Sequence, residues 1–379
     1  IRWAKLTVKS LPIFNIQPVT DMLIVDAHQD LAWNMLTFGR DYTRSALETR
    51  RLEMHSAAPR HNGDTLLGWH EYQQGRVAVI FATLFASPAR RTLGEWDVQS
   101  YRDTAEARLR YSAQLDAYHR LVDQHPDKFR LIRTQTDLRA HLAEWQPETA
   151  SPPVGLVILM EAAEAVGHPS ELEEWWQRGV RLIGPAWAGT RFCGGTGEPG
   201  PLTSDGYALL EAMADFGFSL DFSHMDEKAV LQALDIFPGT MLASHANASA
   251  LLDGLDSNRF LSDRVIHGLI ERDAIIGVVP YNPFLLPGWQ ASDGRHRVTL
   301  GFVAAQIDYI CQLAGDAAHV GIGSDFDGGF GLQSVPEGID TIADLGKLAG
   351  LLAEKGYTES DIQSVMGQNW LNLLARSLP

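Results

Sequence analysis

The sequence predicts a (β/α)8 TIM barrel, and three observations favour it. Eight short apolar runs recur along the 379 residues, and helical patterns lie between them. Most runs are continuously apolar rather than alternating, which is typical of parallel strands covered on both faces. No Gly-x-Gly-x-x-Gly follows the first run, which disfavours the main alternative, a doubly wound open sheet. Such barrels normally form one domain, so we expect a single domain over residues 1–379.

Each predicted barrel strand is a run rich in Val, Ile, Leu and Phe, short enough to be a strand rather than a helix. In chain order the runs are Met22–His28, Val77–Phe85, Val154–Glu161, Arg181–Trp187, Phe218–His224, Thr240–His245, Ile275–Tyr281 and Val320–Asp325. Because each run precedes a helical pattern or a polar segment, the chain repeats the strand–helix unit that a parallel barrel requires.

The helices between the strands are predicted from the signals at their ends. The longest covers Tyr101–His125, because Pro126 stops it. Ser170 and Glu173 form a capping-box pattern that predicts a helix start, and Gly179 stands where a glycine would end that helix.

Two segments exceed a bare barrel. Residues 39–76 follow the first strand and are rich in Arg, His and Gly, and residues 87–153 follow the second strand and contain the longest helix. We expect both to lie above or around the C-terminal face of the barrel. They would form a lid, a surface for oligomerisation or plain surface elaboration.

Charge and composition exclude several classes of protein. The chain has 31 basic and 47 acidic side chains and a net charge of −16, which disfavours binding to nucleic acid or to an anionic membrane. Its longest apolar run, Val77–Ala86, is too short to span a bilayer. Ile1–Thr20 lacks the pattern of a signal peptide, and only two cysteines occur. We therefore expect a cytoplasmic protein without a disulfide framework.

Residues of metal-ligating type stand at the ends of five predicted strands. They are His28 at the end of the first run and Asp30 two positions later, Glu161 at the end of the third, His224 and His245 at the ends of the fifth and sixth, and Asp325 at the end of the eighth. Chemistry in a TIM barrel collects at these strand ends. His28 and Asp30 are two positions apart, so both can point to the same side and share a cation.

Three histidines and three carboxylates exceed what one Zn²⁺ needs, so the set predicts two metal ions. Two adjacent cations need a bridging anion to offset their repulsion. The six lysines of the chain all lie away from the strand ends, so a carboxylated lysine is disfavoured as the bridge. Glu161 is the natural bridging carboxylate.

With these residues in order, the sequence resembles the membrane (renal) dipeptidase family of the amidohydrolase superfamily, whose members are binuclear zinc barrels that cleave dipeptides. The similarity runs from about Val25 to Leu373. Its ordered motifs are Asp-Ala-His-Gln-Asp at 26–30, Leu-Asp-Phe-Ser-His at 220–224, Ser-His-Ala-Asn-Ala at 244–248, Asn-Arg at 258–259, the glycine-rich Asp-Phe-Asp-Gly segment at 321–328 and Met-Gly-Gln-Asn at 366–369.

The resemblance implies a role for each matching residue. His28 and Asp30 would hold one zinc, His224 and His245 the other, and Glu161 would bridge them. Asp325 would be the catalytic acid and base. Arg259 would bind the terminal carboxylate of the substrate, for which a planar guanidinium group is well suited. Without the resemblance to the family, a surface salt bridge would be the simpler interpretation of Arg259. The resemblance also suggests a homodimer.

One position departs from the family. Trp187 stands where the family usually has a histidine that contacts the scissile carbonyl, and an indole N–H can at best donate a hydrogen bond there.

The expected function is hydrolysis of dipeptides, including L-Xaa-D-Xaa dipeptides, by hydroxide that two zinc ions generate, with Asp325 moving the proton. The alternatives are an N-acyl amino acid amidohydrolase or a lactonase with the same metal site, and a binding protein that has lost catalysis.

Overall fold

A closed barrel of eight parallel strands forms the centre of the molecule. The computed structural model describes residues 22–146, 149–255 and 257–379, and Ile1–Thr20, for which no signal peptide is predicted, lies outside them. The strands in the described part are β1 (Ile24–Gln29), β2 (Val77–Leu84), β3 (Phe129–Leu131), β4 (Val154–Glu161), β5 (Val180–Gly184), β6 (Cys193–Gly195), β7 (Glu198–Leu202), β8 (Ser219–Asp221), β9 (Met241–Ala243), β10 (Ile275–Val278) and β11 (Val320–Ile322).

The barrel strands follow one another in the order β1, β2, β4, β5, β8, β9, β10 and β11, and pairing of Asp26 with Ile322 closes the ring. Each of the eight predicted runs overlaps one of these strands, so the predicted fold class is confirmed. Strand β3 pairs in parallel with the first residues of β4, and β6 and β7 form a separate antiparallel hairpin.

The barrel strands form because their side chains are apolar on both faces. Every residue of β2 and of β4 is buried, as parallel strands between a filled barrel interior and an outer helical layer must be. The strands also approach one another closely at the carboxyl end. A Cβ at Gly277 or Gly323 would lie 1.9 or 1.8 Å from the carbonyl oxygen of Ser244, so only glycine fits at these two positions.

The helices cover the barrel and its two added segments. Within the described residues they are α1 (Leu31–Phe38), α2 (Ala46–Glu53), α3 (Ala58–Asn62), α4 (Trp69–Gln74), α5 (Thr104–Gln124), α6 (Gln135–Glu144), α7 (Leu172–Gln177), α8 (Ser204–Phe216), α9 (Glu227–Ile236), α10 (Asp263–Glu271), α11 (Leu300–Ala314), α12 (Leu348–Glu354), α13 (Glu359–Gln363) and α14 (Asn369–Ser377). None of the described helices is both long and apolar enough to cross a lipid bilayer.

The predicted helix ends are partly right. Helix α5 begins at the cap residue Asp103, whose side chain accepts a hydrogen bond from the backbone N–H of Glu106 at 2.9 Å. The predicted capping box at Ser170 is wrong. Ser170 lies inside a short 3-10 turn, where its backbone N–H donates to the ring of His168 at 3.2 Å, and α7 begins only after that turn.

The first added segment does more than cover the surface. Arg40 is buried, and its Nη1 lies 3.0 Å from Oδ2 of Asp327, in the loop after β11. The hydroxyl of Tyr42 donates to the same oxygen at 2.9 Å, and the backbone N–H of Leu66 donates to Oδ1 at 3.0 Å. Residues 39–76 therefore hold in place the loop that carries Asp325.

Replacing Arg40 with Met is expected to lower the free energy of unfolding by about 3–5 kcal/mol, because it leaves the carboxylate of Asp327 buried without its cation. Urea denaturation measures this change. Arg44→Met is the matched control, since Arg44 pairs with Asp41 at the surface and its loss should cost less than about 1 kcal/mol. Equal losses in the two variants would contradict the account of this segment.

Candidate metal centre and active site

The predicted ligand residues lie together at the carboxyl mouth of the barrel. His28 belongs to β1 and Asp30 follows that strand directly, and Glu161 is the last residue of β4. His224, His245 and Asp325 lie two or three positions beyond β8, β9 and β11. All parallel strands end at the same face, so residues far apart in the chain meet here.

The two carboxylate oxygens of Glu161 face two different groups of ligands. Oε2 lies 3.5 Å from Nε2 of His28, which itself lies 3.9 Å from Oδ2 of Asp30. Oε1 lies 3.1 Å from Nε2 of His224 and 3.6 Å from Nε2 of His245. Each group offers ligand atoms within 4.8 Å of one another. Glu161 therefore occupies the position of a residue shared by two sites.

Asp325 lies at the edge of this cluster. Its Oδ1 is 3.9 Å from Nε2 of His28, and its side chain is 15% exposed, whereas that of His28 is fully buried. The backbone of Asp325 has a φ of +57°, a conformation that Asp and Asn tolerate better than most residues. A Cβ at Gly328 would lie 2.1 Å from Oδ1 of Asp325, so glycine is required beside it.

The cluster fits cations. Among the described residues, Nε2 of His28 has no hydrogen-bond partner although it is buried. The Nε2 atoms of His224 and His245 lie only 2.8 Å apart. Burial raises the pKa of Asp325 well above its usual range and that of Asp30 to about 6, because a buried carboxylate is costly to ionise unless a cation lies beside it. Imidazole nitrogens and carboxylate oxygens in this arrangement match the ligand set of divalent zinc.

A cavity of about 470 Å³ opens above the cluster. Its walls are mainly apolar and include the aromatic side chains of Trp33, Phe85, Trp187, Phe260, Tyr281, Phe284 and Phe330. The ring of Trp187 lies 5.1 Å from that of Phe85 and 6.2 Å from that of His224, measured between centroids. A side chain bound between Trp187 and the ligand cluster would therefore meet an apolar surface.

Arg259 supplies a positive charge to the same cavity. It is buried, its guanidinium lies 5.3 Å from the centre of the Phe284 ring, and its Nη2 donates to the backbone oxygen of His245 at 2.8 Å. Its Nε and Nη1 have no hydrogen-bond partner within the described part of the chain. It therefore has donors available for an anionic group in the cavity and is not a surface salt bridge.

Sequence reasoning missed the side chains that contact the ligand histidines from behind. The hydroxyl of Thr196, between β6 and β7, lies 2.9 Å from Nδ1 of His224. The hydroxyl of Ser244 lies 2.9 Å from Nδ1 of His245 and 2.5 Å from Oδ2 of Asp221. Asp221 and Ser244 both belong to the motifs that carry the family resemblance, which is the signal that could have singled them out.

The chain is similar in sequence to known proteins. A family model described as membrane dipeptidase, peptidase family M19, matches residues 16–377. An uncharacterized protein of the pqqA 5' region of Klebsiella pneumoniae is 31% identical over 219 residues, which are 55% of this chain and 76% of that protein. Dipeptidase aclJ of Aspergillus oryzae is 24% identical over 365 residues, which are 94% of this chain and 79% of that dipeptidase.

The fold is also similar to that of solved structures. One is a metallopeptidase from Rhodobacter sphaeroides, liganded with a phosphinate mimic of the dipeptide L-Ala-D-Ala. It matches with a TM-score of 0.76 and 22% sequence identity, over 94% of this chain and 99% of that one. At this level of identity the match shows a shared fold.

Proposed function

Because this chain belongs to the membrane dipeptidase family, peptidase family M19, we propose that it is a binuclear zinc hydrolase that cleaves the amide bond of dipeptides, including L-Xaa-D-Xaa dipeptides. The family is one of metallo-dipeptidases, so the enzyme class follows from membership. The proposal of two zinc ions rests on the position of Glu161, whose two carboxylate oxygens face separate groups of ligand atoms. The relative that binds a mimic of L-Ala-D-Ala supports the substrate class.

His28 and Asp30 would hold one zinc ion, His224 and His245 would hold the second, and Glu161 would contact both. When bound, zinc ions supply a Lewis acid for the scissile carbonyl and a source of hydroxide at neutral pH. The remaining steps belong to the side chains of this protein.

Asp325 would move the proton. Its carboxylate lies beside the ligand cluster and reaches the cavity, so it can accept a proton from the attacking water. It would then donate that proton to the amide nitrogen that leaves as an amine. A carboxylate within hydrogen-bond reach of both atoms suffices for this general acid and base role.

Arg259 would bind the C-terminal carboxylate of the dipeptide through Nε or Nη1, which have no hydrogen-bond partner among the described residues. Hydrogen bonds from a guanidinium to a carboxylate are charge-assisted and therefore stronger than those between neutral groups. The apolar walls around Arg259 strengthen this ion pair, because they exclude water from it.

Replacing Arg259 with Met is expected to lower kcat/KM for dipeptides by about 10- to 100-fold, mainly through KM, because charge-assisted hydrogen bonds to the substrate are lost. Steady-state kinetics on a dipeptide and on its C-terminal amide measure the change. The amide has no carboxylate, so it should lose much less than the acid does. Equal losses on both substrates would contradict the proposed role of Arg259.

A second candidate is an N-acyl amino acid amidohydrolase or a lactonase that uses the same metal centre. The apolar ring of Trp187 near His224 favours it, since the family usually has a polar histidine at this position. Comparison of turnover of L-Xaa-D-Xaa dipeptides, N-acyl amino acids and lactones by the zinc-loaded protein separates these functions. Exclusive turnover of lactones would overturn the dipeptidase proposal.

A further inference from the structure

We propose that Ser244 and Asp221 are positioning residues that select the ring nitrogen which two ligand histidines present to the metal centre. The hydroxyl oxygen of Ser244 lies 3.3 Å from Nδ1 of His28, 2.9 Å from Nδ1 of His245 and 2.5 Å from Oδ2 of Asp221. All four side chains are buried. This inference rests on the proposed function, because it concerns the ligands of the proposed zinc ions.

Asp221 acts only as a hydrogen-bond acceptor. Its Oδ1 accepts from the backbone N–H groups of Ser223 and Ser244, at 3.0 and 2.9 Å, and from the hydroxyl of Ser223 at 2.8 Å. Its Oδ2 accepts from the hydroxyl of Ser244. In the described part of the chain no Lys, Arg or His forms a salt bridge with Asp221. These donors are therefore what stabilises the buried carboxylate, and the proton of Ser244 is committed to it.

Because the hydroxyl of Ser244 donates its proton to Asp221, it can only accept hydrogen bonds from the two histidines. A hydroxyl has one proton and two lone pairs, so only lone pairs remain for the two rings. Nδ1 of His28 and Nδ1 of His245 must then both donate. In a neutral imidazole, a protonated Nδ1 leaves the lone pair on Nε2.

The two Nε2 atoms face different oxygens of Glu161. Nε2 of His28 is 3.5 Å from Oε2 of Glu161, and Nε2 of His245 is 3.6 Å from Oε1. One hydroxyl group therefore orients one ligand in each of the two proposed zinc sites. Gly277 and Gly323 both pack directly against the backbone oxygen of Ser244, so the backbone is closely confined at this position.

Asp221→Asn tests this arrangement without a change of volume. The three donors at Oδ1 keep an oxygen at that position, so the new NH2 group faces Ser244 and donates to its hydroxyl oxygen. The proton of Ser244 must then turn to another acceptor, and Nδ1 of His245 at 2.9 Å is nearer than the hydroxyl of Ser223 at 3.1 Å or Nδ1 of His28 at 3.3 Å. His245 would become an acceptor at Nδ1 and carry its proton on Nε2, where the metal should bind.

The first measurement is zinc affinity by competition with a chelator, and Asp221→Asn should bind zinc about 10- to 100-fold more weakly than the unchanged protein. The second is ¹⁵N NMR of histidine-labelled, metal-free protein, with the His245 signals assigned from a His245→Gln variant. His245 should change from the Nδ1–H tautomer to the Nε2–H tautomer. A residue that merely stabilises the fold would not cause this change.

Asp97→Asn is the matched control. Asp97 is also a buried carboxylate that accepts from a serine hydroxyl, that of Ser87, but it belongs to none of the groups of ligand atoms, so zinc affinity should stay within about threefold of that of the unchanged protein. If Asp221→Asn does not fold, Ser244→Ala serves instead and should weaken zinc binding at least about tenfold. Unchanged tautomers, or an equal loss of affinity in Asp97→Asn, would overturn the inference. If the unchanged protein binds no zinc, the proposed function fails, while the NMR measurement still tests the hydrogen bonds that join Asp221, Ser244 and the histidine rings.

Discussion

Replacing Asp325 with Asn is expected to lower kcat by about a thousandfold while the protein keeps its zinc, because an amide cannot accept and return a proton. Asn has nearly the same size as Asp and tolerates the positive φ of this position, so the loop should keep its shape. KM should change little, since Asp325 is not proposed to bind the substrate. Steady-state kinetics on a dipeptide, together with metal analysis of the same sample, measure both effects.

Asp235→Asn is the control for this variant. Asp235 is exposed near the end of α9, at the opposite face of the barrel, and has no salt bridge in the described part of the chain. The same chemical change there should leave kcat unaltered. Activity that survives in Asp325→Asn would show that another group carries the proton.

Replacing Glu161 with Gln should reduce bound zinc from two ions per chain to one or fewer and lower kcat/KM by about a thousandfold or more. An amide keeps one oxygen but loses the negative charge and the second ligand atom. The two groups of ligands that now face Oε1 and Oε2 would no longer share a residue. Metal analysis after reconstitution and dialysis, with kinetics on the same preparation, gives both quantities.

Glu164→Gln is the matched control, three positions along the chain. Glu164 accepts a hydrogen bond from the backbone N–H of Arg191 at 2.8 Å and belongs to none of the groups of ligand atoms. It should keep two zinc ions and most of the activity. Equal zinc content in Glu161→Gln and Glu164→Gln would contradict the bridging role of Glu161.

The strands could be predicted from the sequence because their signal is local. A run such as Val154–Glu161 is apolar throughout, and a parallel barrel is the architecture that buries both faces of such strands. The start of α7 was predicted wrongly because the ring of His168 caps the turn before it, and Ser170 supplies a backbone donor rather than a side-chain acceptor. Which of two neighbouring polar residues caps a turn depends on rotamers, which the pattern does not specify.

The grouping of His28, Asp30, Glu161, His224, His245 and Asp325 was also predictable, since strand ends of a parallel barrel share one face. The contacts behind them were not. Arg40 contacts Asp327, which is far from it in the sequence, and the sequence pattern of residues 39–76 is equally typical of an exposed segment. Likewise, a motif names Ser244 and Asp221 but does not say that one hydroxyl reaches two ligand rings. These contacts depend on distances that only the folded chain defines.

The most direct test of the central claim is the number of zinc ions per chain, measured by elemental analysis after reconstitution with zinc and removal of the excess. A binuclear centre bridged by Glu161 predicts about two ions per chain, together with hydrolysis of L-Xaa-D-Xaa dipeptides by that preparation. One ion or fewer per chain in a fully folded sample would contradict the binuclear centre.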